Sequence, residues 1–152
     1  YLYHAKIYSA LKCLKILEKY GEKGGFCYLE PEIRNQMDAQ HKRDAAAYRM
    51  LKILSTLESE HGDHARAYLK EYTRRNLGTL LDEAFIDLEL ERIPAEDLYV
   101  VFDEAADQFY IHSDRKQRKA FIIEALHLVR ADNQLNDKEN AMINRLFDAW
   151  LS

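Results

Sequence analysis

The stretch "VRADNQLNDKEN", residues 129–140, joins two segments whose apolar residues recur at helical spacing. Phe121, Ala125 and Leu128 share one face of the preceding helix, and Asp132 continues that face four residues later. A carboxylate at that point lies at the negative end of the helix dipole, which costs about 0.3–1 kcal/mol. The stretch therefore predicts a tight corner between two helices. It also predicts a compensating partner for Asp132, either the N–H groups of the next helix or a bound cation.

The residues after Asp132 have the pattern of a helix start. Asn133 tolerates the left-handed backbone that a helix exit requires. Asn136 is predicted to be the N-cap of the last helix, and Glu139 three residues later completes a capping box. Two interpretations remain open: a corner held only by caps, or a divalent-cation site formed by Asp132, Asn136 and Glu139. Oxygen ligands favour Ca²⁺ or Mg²⁺, although the ligand ladder of an EF-hand is absent.

This region resembles a motif of the tellurite-resistance TerB family, Ala-Asp-Gly-x-Ile/Val-x-x-x-Glu between two helices. Ala131 and Asp132 match the first two positions, Leu135 takes the aliphatic place, and Glu139 matches the glutamate. Asn133 stands where the family usually has glycine. The resemblance implies an all-helical bundle and a metal-associated, stress-linked bacterial module that acts through partners more than through catalysis.

The rest of the chain has the same helical period. Apolar residues recur every three or four positions, which predicts an all-α bundle of about six or seven helices. A first helix is predicted over residues 2–20, and a second begins at Pro31. Gly78 is expected to divide a long apolar segment, and Pro94 to open another helix that includes a Val-Val pair. The last helix is predicted to run from Asp137 to Leu151.

Two further residues are predicted to begin helices. Asp63 follows Gly62 and precedes an apolar-periodic segment, so we expect it to be an N-cap. Ser113 occupies the same kind of position before residues 114–132 and is also expected to be a cap.

The composition describes a globular chain. Its 152 residues are 47% hydrophobic and 32% charged, which suits one domain with one core. The sequence has no apolar run of the roughly 18–20 residues that span a bilayer, and its net charge of −4 predicts no nucleic-acid role. Cys13 and Cys27 form neither a disulfide framework nor a zinc motif, so a reducing, cytoplasmic setting is expected. Because the sequence starts at Tyr1, we expect a fragment of a longer protein.

A basic cluster lies at a predicted helix start. Arg115, Lys116, Arg118 and Lys119 are close together where the helix dipole disfavours cations. We therefore predict that the cluster binds an acidic protein partner or a phosphate group. The alternative is a solvated face paired with Asp114 and neighbouring acids.

An acidic run, "LLDEAFIDLELER", covers residues 80–92. Asp82, Glu83, Asp87 and Glu91 fall roughly on one helical side. The run is interpreted as a solvated stripe, with a partner surface or a cation surface as the alternative.

Two Glu-x-x-His pairs raise a catalytic alternative. Glu58/His61 and Glu124/His127 have the spacing found in di-iron carboxylate bundles. The polar context of the first pair argues against such a core site. The sequence contains no G-x-S-x-G, phosphate-loop or dinucleotide motif.

The residue patterns predict a helical module, and the resemblance to the TerB family implies a non-enzymatic, stress-linked role in protein interaction. A Ca²⁺ or Mg²⁺ site at the corner stays open. The alternatives are a di-iron enzyme and a purely structural helical domain.

Overall fold

Helices account for nearly all of the chain that the structure describes. The computed structural model describes residues 31–57, 62–78, 80–131 and 136–152. Those residues form six α-helices and one short 3₁₀ helix, and they contain no β-strand. The all-α prediction is confirmed. The helices are α1 (Pro31–Thr56), α2 (Gly62–Asn76), α3 (Glu83–Glu91), α4 (Leu98–Ile111), α5 (Arg115–Val129) and α6 (Asp137–Leu151), with the 3₁₀ helix at Ala95–Asp97.

The chain divides into two units, residues 1–38 and residues 39–152, and the boundary falls within α1. The predicted helix over residues 2–20 belongs to the first unit and lies outside the described residues. Whether the chain is one folding domain stays a prediction.

The second half of α1 is the central helix of the second unit. Between residues 44 and 55, every side chain except Arg49 and Lys52 is buried. A helix that is apolar on nearly all sides must be surrounded by other elements. Around it, α5 packs on α2 and α6, and α4 packs on α6.

Three aromatic rings from different helices form the centre of the C-terminal half. Phe109 of α4 lies 4.9 Å from Phe121 of α5 and 5.2 Å from Trp150 of α6, measured between ring centroids. Phe121 and Trp150 are 5.7 Å apart. Offset and tilted ring pairs at these distances contribute about 0.5–1.5 kcal/mol beyond their burial. The cluster therefore fastens α6 near the end of the sequence.

Polar side chains of α3 bind polar side chains of α1. The Tyr48 hydroxyl donates to Asp87 Oδ1 at 2.9 Å, and Lys52 Nζ lies 3.5 Å from the same oxygen. Arg49 Nη2 donates to Glu89 Oε2 at 3.0 Å. Asp87 is therefore directed toward α1. The sequence interpretation, which placed Asp87 on a solvated stripe, is wrong for this residue.

The Asp63 cap prediction is wrong. Because α2 begins at Gly62, Asp63 lies inside the first helical turn. Its carboxylate accepts a hydrogen bond from Arg66 Nη2 at 2.8 Å. An acid in the first turn still favours the helix through the dipole, without capping a backbone N–H.

The Ser113 cap prediction is also wrong, by one residue. Asp114 Oδ1 accepts from the Gln117 backbone N–H at 2.7 Å, and Gln117 Oε1 accepts from the Asp114 N–H at 2.9 Å. The reciprocal box requires an acceptor side chain three residues after the cap. Gln117 provides that acceptor for Asp114, whereas Lys116 could not do so for Ser113.

The predicted division near Gly78 is confirmed, and so is the start of a helical segment after Pro94. The Val-Val pair at residues 100–101 lies within α4, as its helical spacing predicts. Pro94 precedes the 3₁₀ helix that leads into α4.

Replacing Gly78 with alanine is expected to lower the free energy of unfolding by about 1–2 kcal/mol. The Gly78 N–H donates to the buried Asp44 Oδ2 at 2.9 Å, and an added Cβ would lie only 3.2 Å from that oxygen. Gly62 is the matched control, because a Cβ there meets only the Arg66 guanidinium at 3.7 Å. Urea unfolding of the two alanine variants measures the difference. Equal stabilities would contradict the role given to the close approach at Gly78.

Candidate functional site

The α5–α6 corner contains the predicted capping box. Asn136 Oδ1 accepts from the Glu139 N–H at 2.9 Å, and Glu139 Oε2 accepts from the Asn136 N–H at 3.0 Å. The predicted cap and the predicted start of the last helix are confirmed.

Asn136 also connects two distant parts of the chain. Its Nδ2 donates to the backbone carbonyl of Leu57, just after the end of α1, at 3.1 Å. One amide side chain therefore caps α6 and binds the C-terminal end of α1. Glu139 beside it is a completely buried carboxylate, at 0% exposure. The N-terminal dipole of α6 and the Asn136 N–H both stabilise negative charge at that position.

The proposed third cation ligand, Asp132, lies outside the described residues. Among the residues that are described, no three His, Cys, Asp or Glu side chains form a group that could hold a metal ion. The bonds of Asn136 and Glu139 favour the interpretation as a helix cap, because both side chains satisfy backbone groups. The cation site at Asp132, Asn136 and Glu139 stays a prediction.

The predicted basic cluster separates into two parts. Arg118 turns back onto the fold: its Nη1 donates to the Ser113 carbonyl at 2.6 Å, and its guanidinium carbon lies 4.2 Å from the centre of the Tyr110 ring. It therefore fastens the α4–α5 turn. Arg115, Lys116 and Lys119 are exposed, and none of them forms an ion pair with a described residue. Asp114, offered as a pairing acid by the alternative interpretation, is engaged in capping α5.

Only one of the two Glu-x-x-His pairs lies in the described residues. Glu124 of α5 accepts a hydrogen bond from the Tyr68 hydroxyl of α2, and His127 is exposed. Glu58 and His61 lie outside those residues. Glu124 therefore has a visible role in joining α2 to α5, and the described residues do not assemble a di-iron ligand set.

Raising the pH is expected to unfold the protein as its buried tyrosines ionise. Burial is the largest cause that raises the pKa of Tyr48 and of Tyr68, and a hydrogen bond to a carboxylate raises the pKa of each further. Burial and the negative charges of Glu124 and Asp44 raise the pKa of Tyr72. The unfolded chain therefore loses these protons first, near pH 10, so stability is complete below about pH 10 and declines as the pH rises above it.

Tyrosinate absorbance and helical circular dichroism, followed together during alkaline titration, check this expectation. The ionisation of these tyrosines should coincide with the loss of helix, and Tyr68→Phe should make the decline in stability less steep. Full tyrosine ionisation in a still-helical protein would contradict it.

An exposed apolar ridge lies on and before α3. Leu80, Phe85 and Leu88 are 68%, 57% and 55% exposed, and we call these three residues the α3 ridge. Ile86 and Leu90 form the opposite, buried face of the same helix. Helix α3 is thus apolar on two sides, although it packs on only one of them.

The sequence interpretation missed the α3 ridge because it attended to the acidic residues of the run. The available signal was the apolar content of "LLDEAFIDLEL", which exceeds what one buried face of a short helix needs. Asp82, Glu83 and Glu91 are exposed at the two ends of α3, where Asp82 caps the helix by accepting from the Phe85 N–H. The surface is therefore apolar at its centre and acidic at its edges.

A groove of about 490 Å³ lies between α1, α3 and α4. The small side chains of Ala45, Ala46 and Ala105 line it, together with charged residues of both signs such as Lys42 and Glu104. This mixed lining selects no single class of ligand.

None of the helices within the described ranges has the length and apolar content needed to cross a membrane. Comparison of the sequence with protein-family models, curated proteins and solved structures found no match.

Proposed function

We propose that this chain is a non-enzymatic, TerB-like helical module that acts by binding a protein partner, and that the α3 ridge is the contact surface. The observation that supports the proposal is that three large apolar side chains on or just before one short helix, Leu80, Phe85 and Leu88, are exposed to solvent. Single exposed apolar residues are ordinary, but a contiguous group with a polar edge is typical of an interaction site.

The chemistry of the surface agrees with a protein partner. Phe85 and Leu88 are one helical turn apart, so a partner can cover both with one apolar face. Asp82, Glu83 and Glu91 provide a charged edge, which is the usual arrangement around the apolar centre of an interface. The TerB-like motif from Ala131 to Glu139 adds the proposal of a stress-linked role in a bacterial cytoplasm.

The test uses the chain immobilised and incubated with an extract of the cells that make it. The ridge variant carries Phe85→Ser and Leu88→Ser, and the control carries Ile111→Ser at another exposed apolar position. Wild type and control should retain the same protein, and the ridge variant should bind it about thirtyfold more weakly, since losing central anchors costs about 2 kcal/mol or more. Circular dichroism checks that all three are folded. Equal retention by the ridge variant would overturn the proposal.

A second candidate function is cation binding at the α5–α6 corner. The observation that favours it is the complete burial of the Glu139 carboxylate, the last residue of the TerB-like motif. A cation held there would bind the folded state only.

Thermal unfolding with Ca²⁺, with Mg²⁺ and with chelator tests the second candidate. A ligand at a hundredfold excess over its dissociation constant adds about 2.7 kcal/mol to the stability. The melting temperature of the wild type should therefore rise with one of the ions, and Asp132→Asn or Glu139→Gln should abolish the rise. If neither ion changes the wild-type melting temperature at millimolar concentration, the corner is a cap and not a cation site.

A further inference from the structure

We infer that the α3 ridge binds the exposed face of α5 on a second copy of this chain. This inference rests on the proposed function, because it names the partner of the same surface. Residues 39–152 carry two solvent-exposed helix faces of opposite charge.

The first face is a basic stripe along α5. Lys116, Lys119, Ile123 and His127 recur at spacings of three and four residues, which places them on one side of the helix. All four are exposed, and Ile123 is 54% exposed at the middle of the stripe. The stripe therefore has an apolar centre and a positively charged N-terminal half.

The second face is the α3 ridge with its acidic edges. Residues 82–92 contain five carboxylates and one cation, Arg92. Asp87 and Glu89 are paired with Lys52 and Arg49 of α1, so the exposed acids that remain for a partner are Asp82, Glu83 and Glu91. Phe85 and Leu88 would cover Ile123 while lysines of α5 meet the acids of α3, so both apolar contact and charge are complementary.

A single copy leaves both faces uncovered. Helix α3 is fastened to α1, and α5 is fastened to α2 and α6, while the outer face of each helix is exposed to solvent. Contact between two copies covers one α3 ridge and one basic stripe. The second ridge and the second stripe remain available, so more copies can add to the complex.

The contact joins one helix to another and should bury less than the roughly 1,200 Å² typical of a stable complex. Association should therefore be weak, dependent on protein concentration and sensitive to salt. Sedimentation velocity of the wild type should show an average mass that rises with concentration and falls when salt is added.

A charge exchange tests the partner directly. The first variant, Lys116→Glu with Lys119→Glu, makes the stripe acidic, and acids near the start of α5 also suit the helix dipole. The second variant, Ala84→Lys with Glu91→Lys, makes one flank of the ridge basic. Each variant alone should stay monomeric where the wild type associates. An equimolar mixture should associate again, because each α3 then faces an α5 of opposite charge.

The control variant carries Lys70→Glu and Lys138→Glu, two exposed positions on α2 and α6. It changes the net charge as much as the first variant and should associate like the wild type. A wild type that stays monomeric at every concentration would overturn the inference, and so would a mixture that fails to associate. If the wild type is monomeric but retains a protein from the extract that the ridge variant does not retain, the proposed function stands and only the second copy is rejected.

Discussion

Replacing Phe121 with alanine is expected to lower the free energy of unfolding by about 3–5 kcal/mol. Phe121 is only 2% exposed, and its ring packs against both Phe109 and Trp150. Removing it eliminates buried apolar surface and leaves a cavity between α4, α5 and α6, which the rigid helices can fill only partly. Urea unfolding measures the loss. The fluorescence of Trp150, the one tryptophan of the sequence, reports on the same cluster.

The matched control is Phe147→Ala on α6. Phe147 is one of the exposed large apolar residues, so its removal should cost less than about 1 kcal/mol. Similar losses at residues 121 and 147 would mean that the ring cluster is not the principal attachment of α6.

The second large effect is expected at the α5–α6 corner. Asn136→Ala should lower the free energy of unfolding by about 2–4 kcal/mol, because it removes the N-cap bond, worth about 1 kcal/mol, and the donor to a carbonyl of another segment, whose loss costs about 1–3 kcal/mol. Two backbone groups are thereby left without their bonds. Those groups are the Glu139 N–H and the Leu57 carbonyl. The size of the loss depends on the fact that one side chain serves both helices.

Two further variants separate the contributions. Asn136→Ser retains a cap oxygen but loses the donor to Leu57, so it should fall between wild type and Asn136→Ala. Asn140→Ala, one turn later on the exposed side of α6, should change stability by less than about 0.5 kcal/mol. If the serine variant were as stable as the wild type, the link to Leu57 would contribute nothing measurable.

Local patterns in the sequence were enough for the helices and for one cap. Apolar spacing predicted the all-helical class, and Asn136 with Glu139 predicted the start of α6, because a capping box involves residues only three positions apart. The same reasoning failed at Ser113. Two adjacent polar residues can each precede a helix, and the acceptor on Gln117 decides between them.

Tertiary packing decided which of the predicted surface residues are available to a partner. Arg118 has the same charge as its neighbours, yet the carbonyls and the ring at the end of α4 draw it into the fold. Asp87 is taken up by Tyr48 in the same way. Charge and spacing alone do not contain this information, since the partners are supplied by other helices.

The sequence by itself determined the helical class and the local helix cap, since both depend on contacts between residues three or four positions apart. Only the tertiary structure decided that Asn136 reaches Leu57, 79 residues earlier, and that α3 presents Phe85 and Leu88 to solvent while burying Ile86 and Leu90. The physical reason is that α3 carries apolar residues on two faces, and their spacing along the helix does not by itself select the face that packs. The polar contacts of Asp87 and Glu89 with α1 accompany the packing of Ile86 and Leu90 into the core, which leaves Phe85 and Leu88 in solvent.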